Sequence, residues 1–388
     1  MKISELDRIA INNIKKVASI DSTQNTINIS KIYASMTRNT MSLYGNTNEE
    51  KDLICYHLHE KFKQAENTPD QLYVGKNLLY FSVFYNGEYT ELLEMCLNSI
   101  HATTPTKKFD VLFITDEQSK LKIINFPVLS HFNVDYLVLP TVNSAPRASI
   151  KKLSIFEYEK INEYGKILFL DVDSVCVKNL NSIFDKVLQP NKLYVSYPKT
   201  HMSPMLLTAT HGIMHMTDED ALYLHNNSDA IPFNAGQFLF LNTNRMRMHF
   251  SNVKWIQSCW PSVYFYEQSF MNYYFVLKGL TESLLDENGA QMITVTFNTL
   301  KDEKVNQSFY KMVHQSKDKK IMVVSGAISS SFSPQFLPKV YDGRNSLADL
   351  DKRHDDSTVV IHFASIARNS SNKKIYITSY ANAHQLHI

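Results

Sequence analysis

The run Lys166-Ile-Leu-Phe-Leu-Asp171-Val-Asp173 constrains this chain more than any other stretch. Four apolar residues, Ile167 to Leu170, lead straight into two carboxylates spaced two apart. An unbroken apolar run of this length predicts a strand buried on both faces, the kind that builds mainly parallel sheets. Side chains two apart on an extended backbone point the same way, so Asp171 and Asp173 can face one point. In open α/β sheets the carboxyl ends of the strands are where ligands bind. Paired carboxylates there suit a hard divalent cation, which commonly also grips substrate phosphates. The alternative is a surface turn with two solvated acids.

The surrounding pattern supports the buried strand. Apolar runs predict further strands over 78–84, 109–114, 134–139, 193–196, 238–241, 292–295, 321–324 and 359–361. Helical spacing recurs over 92–100, about 150–163, 180–188 (closed by Pro190) and 263–277. Strands alternating with helices predict right-handed βαβ units, hence an α/β fold with a mainly parallel, Rossmann-like sheet flanked by helices. Residues 73–388 form the expected main domain, and residues 1–72 an N-terminal extension that is polar and helical. Ile3, Leu6, Ile14 and Val17 sit at loosely helical spacing there, with Lys15 and Lys16 on the other side. That predicts a helix docked on the main domain or an oligomer contact, with a membrane-surface helix as the alternative. Over 200–230, which holds His201, His211 and His215, periodicity dissolves, as expected of an excursion or lid.

Composition narrows the function classes. The chain carries 40 Lys+Arg against 38 Asp+Glu, a net charge of +2, without the basic excess of a nucleic-acid-binding protein. Its four cysteines (Cys55, Cys96, Cys176 and Cys259) form no CxxC pair, which argues against a zinc site of the usual spacing. Cys96 and Cys176 lie in apolar segments and read as buried thiols, fitting a reducing compartment. No signal-peptide pattern opens the chain and no run reaches the roughly 18 apolar residues of a membrane span, so the expected location is cytoplasmic. The 10 glycines are dispersed, giving neither a P-loop nor a GxGxxG. If a nucleotide binds, a metal must hold its phosphates, and Asp171 and Asp173 gain weight as its ligands. His362 ends the apolar run Thr358-Val-Val-Ile and is therefore expected at a strand tip. Imidazole beside two carboxylates is a suitable set for manganese.

Four segments occur in order: Phe84-Tyr85-Asn86-Gly87-Glu88-Tyr89, Phe169-Leu170-Asp171-Val172-Asp173, Phe233-Asn234-Ala235-Gly236 and Val360-Ile361-His362-Phe363. Together they resemble the glycogenin-type glycosyltransferases (glycosyltransferase family 8) over about residues 77–368. The resemblance implies a GT-A fold and Mn2+ or Mg2+ as cofactor. It also implies retaining transfer of a hexose from a nucleotide-diphosphate sugar, by expectation a UDP-sugar, to a glycan, protein or lipid acceptor. A homodimer is a further expectation. By the same resemblance, Tyr85, Asn86 and Tyr89 hold the nucleoside, and Asp171, Asp173 and His362 hold the metal, with Asp171 also near the ribose. Asn234 and Glu267 bind donor-sugar hydroxyls. Gln268 stands near the anomeric carbon, where its amide, a poor nucleophile, stabilises an oxocarbenium-like state while the acceptor attacks from the leaving-group side. Arg147 and Lys151 or Lys152 fall at the sugar and diphosphate, and Arg368 joins Lys152 on the leaving group.

The chain also departs from the family pattern. Tyr266-Glu267-Gln268-Ser-Phe-Met-Asn272 carries Glu where the family's Asp-Gln-x-x-x-Asn has Asp. Ser365 replaces a glycine, Arg368 stands at a lysine position, and Pro-Trp is absent. Acceptor contacts are expected from 200–230 and 300–350.

Two rival readings share the first motif. A haloacid-dehalogenase-type phosphatase also places DxD after an apolar strand and would use Asp171 as nucleophile, with Ser196 and Asp355-Asp356 as further motifs. That strand normally opens such a domain, whereas here at least three predicted strands precede it. A nucleotide-sugar-binding scaffold without catalysis is the non-enzymatic alternative. A magnesium-dependent nucleotidyltransferase would need a Gly-rich N-terminal loop, which this chain lacks.

Overall fold

A computed structural model describes the backbone of residues 48–84, 87–142, 145–196, 233–259, 267–276, 278–297, 313–315, 322–324 and 358–364, with a few positions between 374 and 382. The chain enters through α1 (Asn48–Asn67), then β1 (Lys76–Val83), α2 (Gly87–Thr103), β2 (Phe109–Thr115), α3 (Glu117–Ile123) and β3 (Val134–Val138). A short helix α4 (Ala145–Ser149) and 3-10 turns over Ile150–Glu157 and Ile161–Glu163 lead into β4 (Tyr164–Leu170) and β5 (Ser174–Cys176). Next come α5 (Asn181–Phe184), β6 (Leu193–Val195), β7 (Gln237–Leu241), α6 (Asn244–Cys259) and α7 (Glu267–Met271), which runs into a π-turn over Asn272–Val276. The last elements are β8 (Thr281–Ser283), β9 (Ile293–Phe297), β10 (Val313–Gln315), β11 (Met322–Val324) and β12 (Val360–Ala364).

The main sheet has seven strands in the order β3-β2-β1-β4-β7-β6-β8. The first four are mutually parallel, and β7 returns antiparallel to β4. This is the mainly parallel α/β sheet that the sequence predicts. From β1 the chain moves outward to β2 and β3, then crosses back to place β4 on the other side of β1. The order therefore reverses between β1 and β4, the kind of position where such sheets form a ligand crevice. Alternate residues of the central strands feed two cores. Tyr80, Ile167, Phe169, Phe238 and Phe240 face one, together with α6 and the 3-10 segment. Leu79, Phe81, Leu168, Leu170 and Leu239 face the other, against α2. Burial on both faces explains why β4 reads as a continuous apolar run.

Several local expectations are corrected. The segment expected as a helix over 150–163 is mostly 3-10 turns, which aim Lys152, Leu153 and Ile155 inward. The helix expected over 180–188 stops at Phe184, and Val187 is left almost fully exposed. Helix α6 was not expected, yet it is capped by Thr243, whose Oγ1 accepts from Met246 N at 3.0 Å, and it buries Met246, Phe250, Val253 and Ile256. Within the span expected as a helix over 263–277, the described part is α7 plus the π-turn. His362 lies inside β12 rather than at its tip, because β12 continues to Ala364.

Helix α1 belongs to the packed body. Leu58 and Ala65 are buried, Asn252 of α6 donates to Lys61 O at 3.2 Å, and Phe62 stacks against His249. The helix expected near 3–17, the excursion over 200–230 and most of 300–350 lie outside the described residues.

Candidate metal centre

The site forms where β4 leaves the sheet. Strand β4 ends at Leu170, and Asp171 N donates to Gly236 O at 2.7 Å. The backbone then bends at Val172 and Asp173 before β5. The two carboxylates thus converge across a bend and not along one continuous strand. Strand β5 pairs antiparallel with β12, setting Ser174 opposite His362, and Phe363 N donates to Asp173 O at 2.9 Å. This small sheet brings His362, distant in sequence, beside the DxD.

Asp171, Asp173 and His362 each offer a ligand atom, all within 4.8 Å of one another. His362 Nε2 lies 3.1 Å from Asp173 Oδ1 and 3.7 Å from Asp171 Oδ2. Asp173 and His362 are buried, and Asp171 is partly open. Gly236 makes the approach of His362 possible: a Cβ there would stand 2.1 Å from the ring's Cε1. Real atoms do not come that close, so any side chain at 236 would displace the His362 ring.

Lys152 ties three segments together. Its Nζ lies 2.8 Å from Glu267 Oε1, 3.4 Å from Asp171 Oδ1 and 3.0 Å from Ala235 O. It also sits over the Phe169 ring, 4.6 Å from its centroid, and Tyr80 OH donates to its backbone carbonyl at 3.2 Å. An ammonium has three donors, and three oxygens surround this one. Burial opposes its charge, but Asp171 and Glu267 outweigh burial and hold its pKa above the usual lysine range.

Charge balance tests whether a divalent cation fits. Three carboxylates (Asp171, Asp173 and Glu267) share the pocket with one ammonium. Burial pushes the Asp171 carboxyl above the usual carboxylate range, and Asp173 and Glu267 add to that push against Lys152 and His362. Among the described residues, the acidic groups of this pocket thus outnumber the cationic ones. Its two carboxylates and one imidazole could hold a divalent cation.

The remaining residues complete the crevice or lie apart from it. Asn234 Oδ1 accepts from Gly236 N at 2.8 Å, curling the turn beside His362. Gln268 Oε1 accepts from Ala235 N at 3.0 Å, so its carbonyl is engaged by the turn. Arg147 is exposed at the end of α4, Lys151 is half-buried, and Tyr89 is exposed on the first turn of α2. Tyr85, Asn86, Ser365 and Arg368 lie outside the described residues. The inward clasp of Lys152 on Glu267, and Asn272 behind the turn, were missed as site-building contacts. Their spacing to the DxD gives no local signal, although Asn272 stood in a quoted motif. Cys96 and Cys176 are buried free thiols, as expected. Ser196, a motif residue of the phosphatase reading, spends its hydroxyl on Gln291 and the Ile293 carbonyl.

The fold and site define a mainly parallel α/β protein with an acidic-histidine cluster at the sheet's carboxyl edge. No family model matches the sequence and no curated protein matches it. Among solved structures, the chain is similar to galactosyltransferase LgtC in complex with donor and acceptor sugar analogs. Identity is 14%, TM-score 0.45, covering 79% of this chain and 95% of that one. It is also similar to the bifunctional glycosyltransferase WbbM (16%, TM-score 0.43, 82% and 53%). A third is mouse xyloside xylosyltransferase 1 (14%, TM-score 0.39, 61% and 92%). Among the described residues, no helix is long and apolar enough to cross a membrane.

Proposed function

We propose that this protein is a metal-dependent retaining glycosyltransferase that moves a hexose from a nucleotide-diphosphate sugar, a UDP-sugar by preference, to a glycan, protein or lipid acceptor. The observation that carries this reading is the convergence of Asp171, Asp173 and His362 at the carboxyl edge of β4, beside a turn built from Asn234 to Gly236. Asp171, Asp173 and His362 would hold Mn2+ or Mg2+. When bound, such an ion supplies neutralisation of the charge developing on the departing nucleoside diphosphate.

The chain's own residues do the rest. Asp171, the most open of the three, would meet the ribose or diphosphate. Lys152 holds Glu267 in an ion pair at the edge of the donor pocket, where a carboxylate accepts hydrogen bonds from sugar hydroxyls. Asn234 and Gln268 flank the same pocket. A neutral amide is a poor nucleophile, so Gln268 orients the sugar and the acceptor attacks from the leaving-group side. Arg147, Lys151 and Arg368 supply the outer cationic contacts, and Tyr85, Asn86 and Tyr89 the nucleoside contacts. Acceptor contacts come from 200–230 and 300–350.

The test is hydrolysis of a panel of UDP- and GDP-sugars, with and without manganese, by the wild type and by Asp173→Ala. The expected result is manganese-dependent release of one nucleoside diphosphate, absent in the variant. Phosphate release from a generic phosphomonoester with no donor turnover would instead establish the phosphatase. Donor binding without turnover would establish the scaffold.

A further inference from the structure

The turn from Phe233 to Gly236 is not secondary structure, yet side chains hold the backbone N–H groups of Phe233, Ala235 and Gly236 and the carbonyls of Phe233 and Ala235. Asn272 does the largest share. Its Oδ1 accepts from Phe233 N at 2.8 Å and its Nδ2 donates to Phe233 O at 2.9 Å. The same Nδ2 donates to Gln268 O at 2.9 Å. Asn272 is fully buried and is the first residue of the π-turn that extends α7. A π-turn displaces the ordinary i to i−4 hydrogen bonds, and π-turns frequently occur at functional sites. Here the Asn272 side chain takes the Gln268 carbonyl and also pairs with both sides of the Phe233 residue, as a neighbouring strand would. One amide thereby fixes the sugar-side turn to the helix that carries Glu267 and Gln268.

We propose that Asn272 is a positioning residue: it sets the register between the 233–236 turn and helix α7, and through Gly236 the approach of His362. The consequence for activity rests on the glycosyltransferase reading, whereas the geometric role does not. Asn272→Asp keeps the shape and the acceptor oxygen. It removes both donor bonds and faces two carbonyl oxygens with a carboxylate.

The experiment compares wild type, Asn272→Asp and Asn272→Ala by hydrogen–deuterium exchange and by donor hydrolysis with manganese. Breaking buried hydrogen bonds of this kind is expected to speed exchange of the 233–236 amides by roughly tenfold or more. Strands β1, β4 and β7 should keep wild-type protection. Hydrolysis in Asn272→Asp is expected to lose kcat by at least about a hundredfold, the scale that misplacing reacting groups produces, with a smaller change in KM. Unchanged exchange at 233–236 in a folded variant overturns the proposal, as does exchange raised equally throughout the sheet. If the wild type hydrolyses no donor, the functional reading fails while the exchange result still decides the role of Asn272. Accelerated local exchange with wild-type kcat overturns the link to catalysis.

Discussion

Gly236 and His362 are in closer contact than any other residue type at 236 would allow. A Cβ there would also stand 2.7 Å from His362 Nε2 and 2.8 Å from Asn234 Oδ1. Gly236→Ala is therefore expected to fold but to bind manganese at least about tenfold more weakly, the scale of disturbing a ligand's orienting shell; calorimetric titration checks this. Lys152 offers a second test at this scale. Lys152→Met leaves the buried Glu267 without its counter-charge and is expected to destabilise the fold by about 3–5 kcal/mol. Adding Glu267→Gln should recover part of that loss in thermal unfolding, which a simple packing defect at 152 would not allow. At this scale the sequence was informative about type and silent about partners. The DxD was legible because an apolar strand ran into it. The ion pair between Lys152 and Glu267 was not, because it joins a 3-10 turn to a helix far along the chain.

The elements show why some boundaries were readable and others were not. Strands β1, β2, β4 and β7 are buried on both faces, so each appears as an apolar run with clear ends. Helix α6 went unnoticed because the half-buried Arg245, Arg247 and Lys254 interrupt the apolar stripe of Met246, Phe250 and Val253. The 3-10 segment kept helical spacing in its apolar residues but not the α-helical hydrogen-bond pattern.

Helix α1 is expected to be part of the cooperative unit. Leu58→Ala should cost about 2–5 kcal/mol in denaturant unfolding, as for other buried leucines. A second contact between elements is pH-sensitive. Asp135 on β3 accepts from Tyr158 OH at 2.6 Å, from Lys160 Nζ at 2.8 Å and from Tyr136 N at 2.8 Å. Burial pushes its pKa up, but the hydrogen bonds from Lys160, Tyr158 and Tyr136 prevail and bring it below the ordinary 3.8. A depressed carboxylate contributes stability above its unfolded pKa and loses it as pH falls through the folded value. Asp135→Asn is thus expected to be less stable than wild type at neutral pH, by under about 1 kcal/mol for so exposed a pair. The gap should close below pH 3.8, as followed by unfolding midpoints across that range.

Across the whole molecule, the sheet order β3-β2-β1-β4-β7-β6-β8 creates the crevice, and the small β5-β12-β9 sheet supplies its histidine. The fold class was legible from alternating strands and helices. The order was not, since pairing of β4 with both β1 and β7 depends on contacts between segments far apart in the chain. The central claim is that this crevice couples a divalent cation to a nucleoside diphosphate. The most direct measurement is UDP binding by calorimetry, with and without manganese, for wild type and Asp173→Ala. The expected result is UDP affinity at least about tenfold higher with manganese, a coupling of roughly 1.4 kcal/mol, abolished in the variant. UDP affinity that is the same with and without manganese in the wild type would contradict it.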